Sequence, residues 1–167
     1  MLLTACSSGG SDQGSDEGSD TPAPSTPTSA PVTADVAPVK AAEVVDGLSK
    51  AGFKCGTDEA YAVCTSGGAQ VSVLLGDHPR PPVVSVHATG KQDTASAAIG
   101  AVLPKVLETV NVNQQQEISS WFGQQKATAQ MTAGDWLIDY TVEADTEEPG
   151  VNLTVTDKLC KTSCQAE

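Results

Sequence analysis

Cysteine is the residue type with the clearest chemistry in this 167-residue chain, which contains five of them. Four form two close pairs in the later part of the chain, Cys55 with Cys64 and Cys160 with Cys164. Four cysteines allow three connectivities, of which local pairing is the simplest. Zinc ligation is the competing interpretation, but the chain lacks the C-x-x-C spacing typical of structural zinc sites. We therefore expect two disulfides, which persist outside the reducing cytosol, and no metal.

Histidine and serine are the next candidates, because together with an acid they could form a hydrolase site. His78 lies in the Pro-rich segment GDHPRPP, and His87 lies on the polar face of a predicted strand. With Asp77, Ser72 and Ser85 nearby in sequence, a Ser–His–Asp set is conceivable. The nucleophile motifs G-x-S-x-G and S-x-x-K are absent, as are the Walker and H-E-x-x-H motifs. We expect two surface histidines and no enzyme, with a hydrolase as the less favoured alternative.

Carboxylates cluster in the segment VEADTEEPG and could hold Ca²⁺, which prefers several oxygen ligands. The acids concerned are Glu143, Asp145, Glu147 and Glu148. Their order does not match an EF-hand loop, and charged residues in a hairpin commonly keep a sheet edge soluble. We expect a solvated turn and no bound cofactor.

Aromatic side chains are few, and they could line a pocket for a lipid or a peptide. The candidate ligand-lining residues are Trp121, Phe122, Trp136 and Tyr140. At helix and strand spacing such residues more often belong to the core, so both interpretations stay open.

The net charge of −12 argues against nucleic acid as a partner. Residues 35–167 carry 17 acids and nine bases, and residues 1–34 carry four acids and no Lys or Arg. Such a surface repels nucleic-acid phosphates and anionic lipid headgroups. No apolar run reaches the length of a spanning helix, so any membrane attachment comes from a covalent or an inserted group.

Two regions of different composition divide the chain near residue 35. Residues 7–34 are mostly Ser, Gly, Thr and Pro and show no hydrophobic periodicity. Such a segment buries too little apolar surface to become ordered, and as a coil it spans on the order of 30 Å. We expect a disordered tether over 6–34 and a single domain over 35–167.

Hydrophobic periodicity in residues 35–167 predicts helices and strands in the order α-β-β-β-β-α-α-β-β-β. The strongest helix pattern lies in DTASAAIGAVLPKVLETV, where Asp93 or Thr94 is the expected cap and Pro104 predicts a kink or a break. Alternation in segments such as PPVVSVHATG predicts antiparallel strands with one solvated face. The expected fold is α+β, a two-layer sandwich with the helices packed on one face of an antiparallel sheet.

The remaining cysteine stands in a motif close to the start of the chain. Leu3-Thr4-Ala5-Cys6 resembles the lipobox of bacterial lipoproteins, and a polar tether follows it as in that class. The resemblance implies that Cys6 receives diacylglycerol, with palmitate among its acyl chains, and becomes the first residue after cleavage. Residues 1–5 are then the remnant of a signal peptide, although no basic n-region or apolar h-region precedes the motif. The alternative for Cys6 is a free thiol in a disordered tail.

The domain is similar to the uncharacterised C-terminal domains of small Gram-positive-type lipoproteins. The segments KAGFKC and AVC carry this similarity, because a helix there ends in Ala-Gly-aromatic-x-Cys before a strand with the partner cysteine. The sequence thus predicts a monomeric lipoprotein on the extracytoplasmic face of the cell membrane. We expect a non-catalytic binding module for an envelope protein or a small ligand. The alternative is a carrier of a lipid or another apolar ligand.

Overall fold

The computed structural model describes residues 38–144, 147–162 and 164 of the chain. The predicted tether and Cys6 therefore lie outside the described residues, as does Asp145. The elements follow in this order: α1 (Ala41–Lys50), β1 (Lys54–Asp58), β2 (Tyr61–Ser66), β3 (Ala69–Leu74), β4 (Val83–Thr89), α2 (Gln92–Thr109), α3 (Gln115–Phe122), β5 (Ala129–Ala133), β6 (Trp136–Glu143) and β7 (Gly150–Asp157).

All seven strands belong to one sheet, in the order β1-β2-β3-β4-β7-β6-β5. Every neighbouring pair is antiparallel, including β4 and β7, which are far apart in sequence. The prediction of a mixed α+β protein with an antiparallel sheet is confirmed. Strands β1 and β5 form the two edges, and the β4–β7 pair joins the first four strands to the last three.

Alternate side chains of the central strands are buried, as period-two patterning requires. On β4 the buried set is Val84, Val86 and Ala88, and on β7 it is Val151, Leu153 and Val155. Helix α1 packs against β1–β3, and α2 packs against β3, β4 and β7. The polar residues between the buried ones are half-exposed, so the core lies on one side of these strands.

Helix α2 runs through Pro104 as a single element, so the predicted break does not occur. Apolar side chains on both sides of the proline, Ile99, Leu103 and Leu107, are at most 1% exposed. Their burial holds the turns before and after Pro104 against the core, which outweighs the missing backbone hydrogen bond.

The predicted cap of α2 is wrong, because the helix begins two or three residues earlier than the sequence suggests. Lys91 occupies the N-cap position without a side-chain cap, and Asp93 lies in the first turn. A carboxylate there still interacts favourably with the helix dipole. The preceding turn at Gly90, whose φ is +115°, brings the chain out of β4 early enough to start the helix at Gln92.

A two-residue turn, Gly67-Gly68, connects β2 and β3 and fixes their register. Both glycines have positive φ, +57° and +82°, as the tight hairpin turns that match strand twist require. Ser66 pairs with Ala69, and Thr65 therefore pairs with Gln70. The side chains of Thr65 and Gln70 consequently lie beside each other on one face.

Both expected disulfides are present. Cys55 on β1 is bonded to Cys64, which it faces directly on β2, with an S–S distance of 2.09 Å. Cys160 is bonded to Cys164 after the last strand, at 2.14 Å. The first disulfide fastens an edge strand to the sheet beneath α1, whose Val45 carbonyl lies near the Cys55 sulfur.

A buried ion pair closes one end of the sheet. Arg80, in the β3–β4 loop, donates from Nε to Oδ2 of Asp157 at 2.8 Å and from Nη2 to Oδ1. The guanidinium also stacks on the ring of Trp136, 4.4 Å from its centroid. The hydrogen bond from Arg80 to Asp157 raises the pKa of Arg80, although burial lowers it. The arginine therefore stays charged and ties the loop to the end of β7.

Within the described part of the chain, no helix is both long enough and apolar enough to cross a membrane.

Candidate functional site

Four polar side chains form one row across the first four strands, away from the buried core. Lys54 pairs with Thr65, Thr65 with Gln70, and Gln70 with His87. Directly paired residues share a face of a sheet, and neighbouring strands are about 4.8 Å apart. The row, named here the Lys54–His87 row, therefore extends about 14 Å between the Cα atoms at its two ends.

A cleft of about 540 Å³ lies over this row and over the neighbouring end of the sheet. Its lining consists of the row itself and of small residues from the hairpin and the strand ends, which are Gly52, Ser66, Gly67, Gly68, Ala69, Ala88 and Thr89. Because the turn residues lack large side chains, the cleft stays open between β2, β3 and β4. It is of a size that suits a small ligand.

The chemistry of the cleft differs from that of the domain around it. Of the described residues that line it, none is Asp or Glu, and Lys54 is the one Lys or Arg. The ammonium group of Lys54 donates hydrogen bonds, and Thr65, Gln70 and His87 each both donate and accept. The cleft therefore offers mixed hydrogen bonding with a positive charge at its β1 end.

The orientation of the His87 side chain depends on Gly150, the first residue of β7, which is the strand beside β4. A Cβ atom at Gly150 would lie 2.9 Å from Nε2 of His87 and 2.8 Å from the carbonyl oxygen of Ala88. The bare backbone of Gly150 thus leaves room for the imidazole to lean across β7. There Nε2 lies 3.9 Å from Oε2 of Glu143 on β6, an ion pair whenever the histidine is protonated.

Hydroxyl and amide groups continue the polar surface beyond the cleft. Asn152 on β7 pairs with His87 and with Thr141 on β6. In the adjacent row, Ser85 and Thr154 share a hydrogen bond of 3.1 Å between their hydroxyls. The side chain of Asn152 donates to Thr154 at 3.0 Å, so these short polar groups form a connected, half-exposed array.

The residues considered for a hydrolase do not form a triad, although Ser72 and Ser85 are directly paired on β3 and β4. Asp77 is exposed and forms an ion pair with Lys40 at 2.8 Å, and that hydrogen bond lowers the pKa of Asp77. His78 lies over Gly76, at the end of β3 opposite to the end that pairs with His87. Ser85 is bonded to Thr154 as described above, and no hydrogen bond within the described residues joins a histidine to Ser72 or Ser85. The structure does not bring the Ser–His–Asp candidates together.

Three of the four candidate ligand-lining aromatics lie in the core. Trp136, Tyr140 and Phe122 are 1%, 0% and 5% exposed, and Trp121 is half-buried against the hydrophobic core. Phe122 and Tyr140 make an edge-to-face contact at 5.6 Å. The hydroxyl of Tyr140 is bonded to Gln92 and Ser96 of α2. These rings contact other side chains of the domain.

The candidate calcium acids are only partly described. Asp145 lies outside the described residues, and Glu143 faces His87 as noted above. Among the residues that the structure describes, no group of three His, Cys, Asp or Glu is placed to hold a metal ion.

Two features of the structure were not predicted from the sequence, although the sequence contains a signal for each. The Gly67-Gly68 turn between alternating segments would have predicted that Thr65 and Gln70 lie side by side. The Asp157 carboxylate was also predictable as buried, because Val151, Leu153, Val155 and Asp157 share one parity on β7. Nothing local indicates that His87 lies near Glu143, since that proximity depends on the β4–β7 pairing.

Comparison with known proteins adds no assignment: no protein-family profile, no curated protein and no solved structure matches this chain.

Proposed function

We propose that this protein is a lipid-anchored, extracytoplasmic binding module that does not catalyse a reaction. Cys6 carries diacylglycerol in the outer leaflet of the cell membrane, and residues 7–34 form a flexible tether. The domain over 35–167 is held away from the bilayer and binds a ligand or an envelope protein as a monomer. The lipobox-like motif supports the anchor, and the cleft over the Lys54–His87 row carries the binding half.

The anchor accounts for the odd cysteine. Four of the five cysteines form disulfides with one another, which leaves Cys6, outside the described residues, as the odd one in the sequence. An unpaired cysteine in an exported protein needs a chemical role of its own. Acylation of Cys6 supplies that role. The two disulfides agree with an oxidising compartment, which lies outside the cytosol.

The proposed binding role of the domain depends on which face of the sheet the helices cover. We propose that all three helices cover the face that carries Val71, Val86 and Leu153, so that the other face is open to solvent. On that face the cleft offers a lysine, two hydrogen-bonding amide or imidazole groups and several hydroxyls. Such a surface suits a polar ligand that is held by side chains.

The carrier alternative is less well supported. A carrier of apolar ligands needs an apolar pocket between the sheet and the helices. Of the aromatic side chains that would line it, Phe122 and Tyr140 are packed against each other and Trp136 is stacked by Arg80. Tyr140 is also fully buried with its hydroxyl bonded. We therefore favour a module whose apolar residues form a core and whose ligand is polar.

The anchor is tested by replacing Cys6 with serine in the protein expressed from its own gene with its natural upstream sequence. We expect the unaltered protein in the membrane fraction and Cys6→Ser in the soluble or secreted fraction. Ser7→Ala, one residue away, is the matched control and should remain with the membrane. Membrane association of Cys6→Ser equal to that of the control would refute the anchor.

A further inference from the structure

We infer that the cleft over the Lys54–His87 row binds an extended acidic glycan, with the negative charge of the glycan placed at Lys54. This inference rests on the binding half of the proposed function and does not depend on the lipid anchor. Its basis is the length of the row, the distribution of charge along it and the type of its side chains.

The length of the row indicates an extended ligand. Lys54 and His87 are about 14 Å apart at their Cα atoms, because two strands lie between β1 and β4. A ligand that contacts all four side chains of the row, one on each strand, has to extend across those strands. A ligand that uses the whole cleft of about 540 Å³ must therefore lie across the strands and contact four of them in turn.

The side-chain types indicate hydroxyl groups on the ligand. A threonine hydroxyl, a primary amide and an imidazole lie in sequence along the row, and each both donates and accepts hydrogen bonds. Sugar hydroxyls have the same double capacity, so neighbouring groups of the row can each pair with a ring substituent. Asn152 extends the same chemistry by one strand beyond His87.

A peptide is the less suitable occupant. Extended peptides commonly bind by adding a strand to a free sheet edge. Three of the four strands beneath the cleft, β2, β3 and β4, already have a partner on both sides. The cleft therefore offers a peptide few backbone groups, and its lining of glycine, alanine and hydroxyl residues provides no deep apolar pocket for side chains.

The charges at the two ends of the row determine the direction in which an acidic glycan lies. Lys54 is exposed at the β1 end, whereas Glu143 lies 3.9 Å from His87 at the other end. A carboxylate on the glycan is attracted at Lys54 and repelled near Glu143. Residues 35–167 carry a net charge of −8, which repels a carboxylate. Binding of the carboxylate at Lys54 therefore requires a site without acids in its lining, and the described lining of this cleft contains none.

The experiment is a titration of the ¹⁵N-labelled full chain followed by NMR, with two trisaccharides that differ by one carboxylate. One is xylobiose capped by a single glucuronate, and the other is neutral xylotriose. We expect the acidic sugar to shift the amide signals of Lys54, Thr65, Gln70 and His87 at millimolar concentration. The neutral sugar should shift the same signals with affinity weaker by about tenfold, the loss of one hydrogen bond to a charged group.

Two variants separate the parts of the inference. Lys54→Gln should remove the preference for the acidic sugar, whereas His87→Gln should weaken both sugars equally. Lys105→Gln is the charge-matched control, because Lys105 lies exposed on α2 and pairs with Glu108. It should leave both affinities unchanged.

Three results of the sugar titrations would overturn the inference. They are the absence of shifts in the row, equal affinity for the two sugars, and an effect of Lys54→Gln no larger than that of Lys105→Gln. Tighter binding of an extended acidic peptide at the same signals would likewise reject a glycan. None of these results bears on the release of Cys6→Ser from the membrane, so failure here is distinguishable from failure of the anchor.

Discussion

His87 takes its position from a residue with no side chain, and this contact is the most specific one at the scale of single residues. A Cβ atom does not fit at Gly150, because the His87 ring and the Ala88 carbonyl occupy that space. The position of His87 in the Lys54–His87 row therefore depends on Gly150, and the two residues are treated as one unit. His87 reaches toward Glu143 only because β7 is bare at this point.

Gly150→Ala tests this unit. The added Cβ must displace either the imidazole or the backbone of β4, so we expect a loss of about 1–3 kcal/mol in the free energy of unfolding. Urea unfolding measures the loss, and NMR of the imidazole protons reports the movement of His87.

Gly56→Ala is the matched control, since a Cβ there meets nothing within 4 Å. It should leave both the stability and the His87 signals close to those of the unaltered protein. Equal behaviour of the two variants would show that His87 does not lie against Gly150.

Arg80 and Asp157 form a second unit of single residues, and they are buried together. Their side chains are 12% and 6% exposed. Arg80→Ala leaves the Asp157 carboxylate without its partner, and we expect it to lower the free energy of unfolding by about 3–5 kcal/mol. Urea unfolding at neutral pH is the measurement.

The exposed pair of Lys40 with Asp77 provides the comparison, with side chains 62% and 95% exposed. Lys40→Ala should not shift the urea midpoint measurably, because solvent screens such pairs. A shift as large as that of Arg80→Ala would contradict the difference in burial on which the first expectation rests.

At the scale of elements, alternation and helical spacing predicted most of the secondary structure. The PPVVSVHATG segment forms β4 with Val84, Val86 and Ala88 buried, as its period of two indicates. The start of α2 was mispredicted because Asp93 is a strong local cap candidate, whereas the turn at Gly90 sets the first residue. Local propensity is weaker than the constraint of the preceding strand.

The Cys55–Cys64 disulfide joins the edge strand β1 to β2, so its loss should matter for the sheet. In the chain-entropy model a loop of this size contributes roughly 2–3 kcal/mol. We expect Cys55→Ala/Cys64→Ala to lose about that much stability in urea unfolding and to show faster hydrogen exchange in β1.

Cys160→Ala/Cys164→Ala is the control pair, because that disulfide lies after the last strand. Hydrogen exchange in the sheet should stay unchanged in that variant. Equal exchange in β1 for the two double variants would show that the first disulfide does not hold the edge strand.

At the scale of the whole molecule, the strand order is the part that sequence patterns do not predict. The β4–β7 pairing joins residues that are far apart in sequence, such as Ser85 and Thr154, which are 69 positions apart. This pairing brings Asn152 beside His87 and Glu143 near it. The polar character of His87's face was predictable from alternation, whereas its neighbours across the sheet were not.

The predicted division of the whole chain into a tether and a domain is tested by limited proteolysis. Sites between Ser7 and Ala34 should be cut first, because a segment of this composition does not protect its backbone. Mass spectrometry of the early fragments locates the cuts. First cuts inside residues 41–157, with the earlier segment intact, would contradict the division.

The central claim is that Cys6 anchors a binding domain to the membrane, and the mass of the mature N-terminal peptide tests it most directly. The protein is purified in detergent from the cell that naturally makes it, then digested and measured. We predict a peptide that begins at Cys6 and carries diacylglycerol. A peptide in which Cys6 is an unmodified thiol, still preceded by Ala5, would contradict the account.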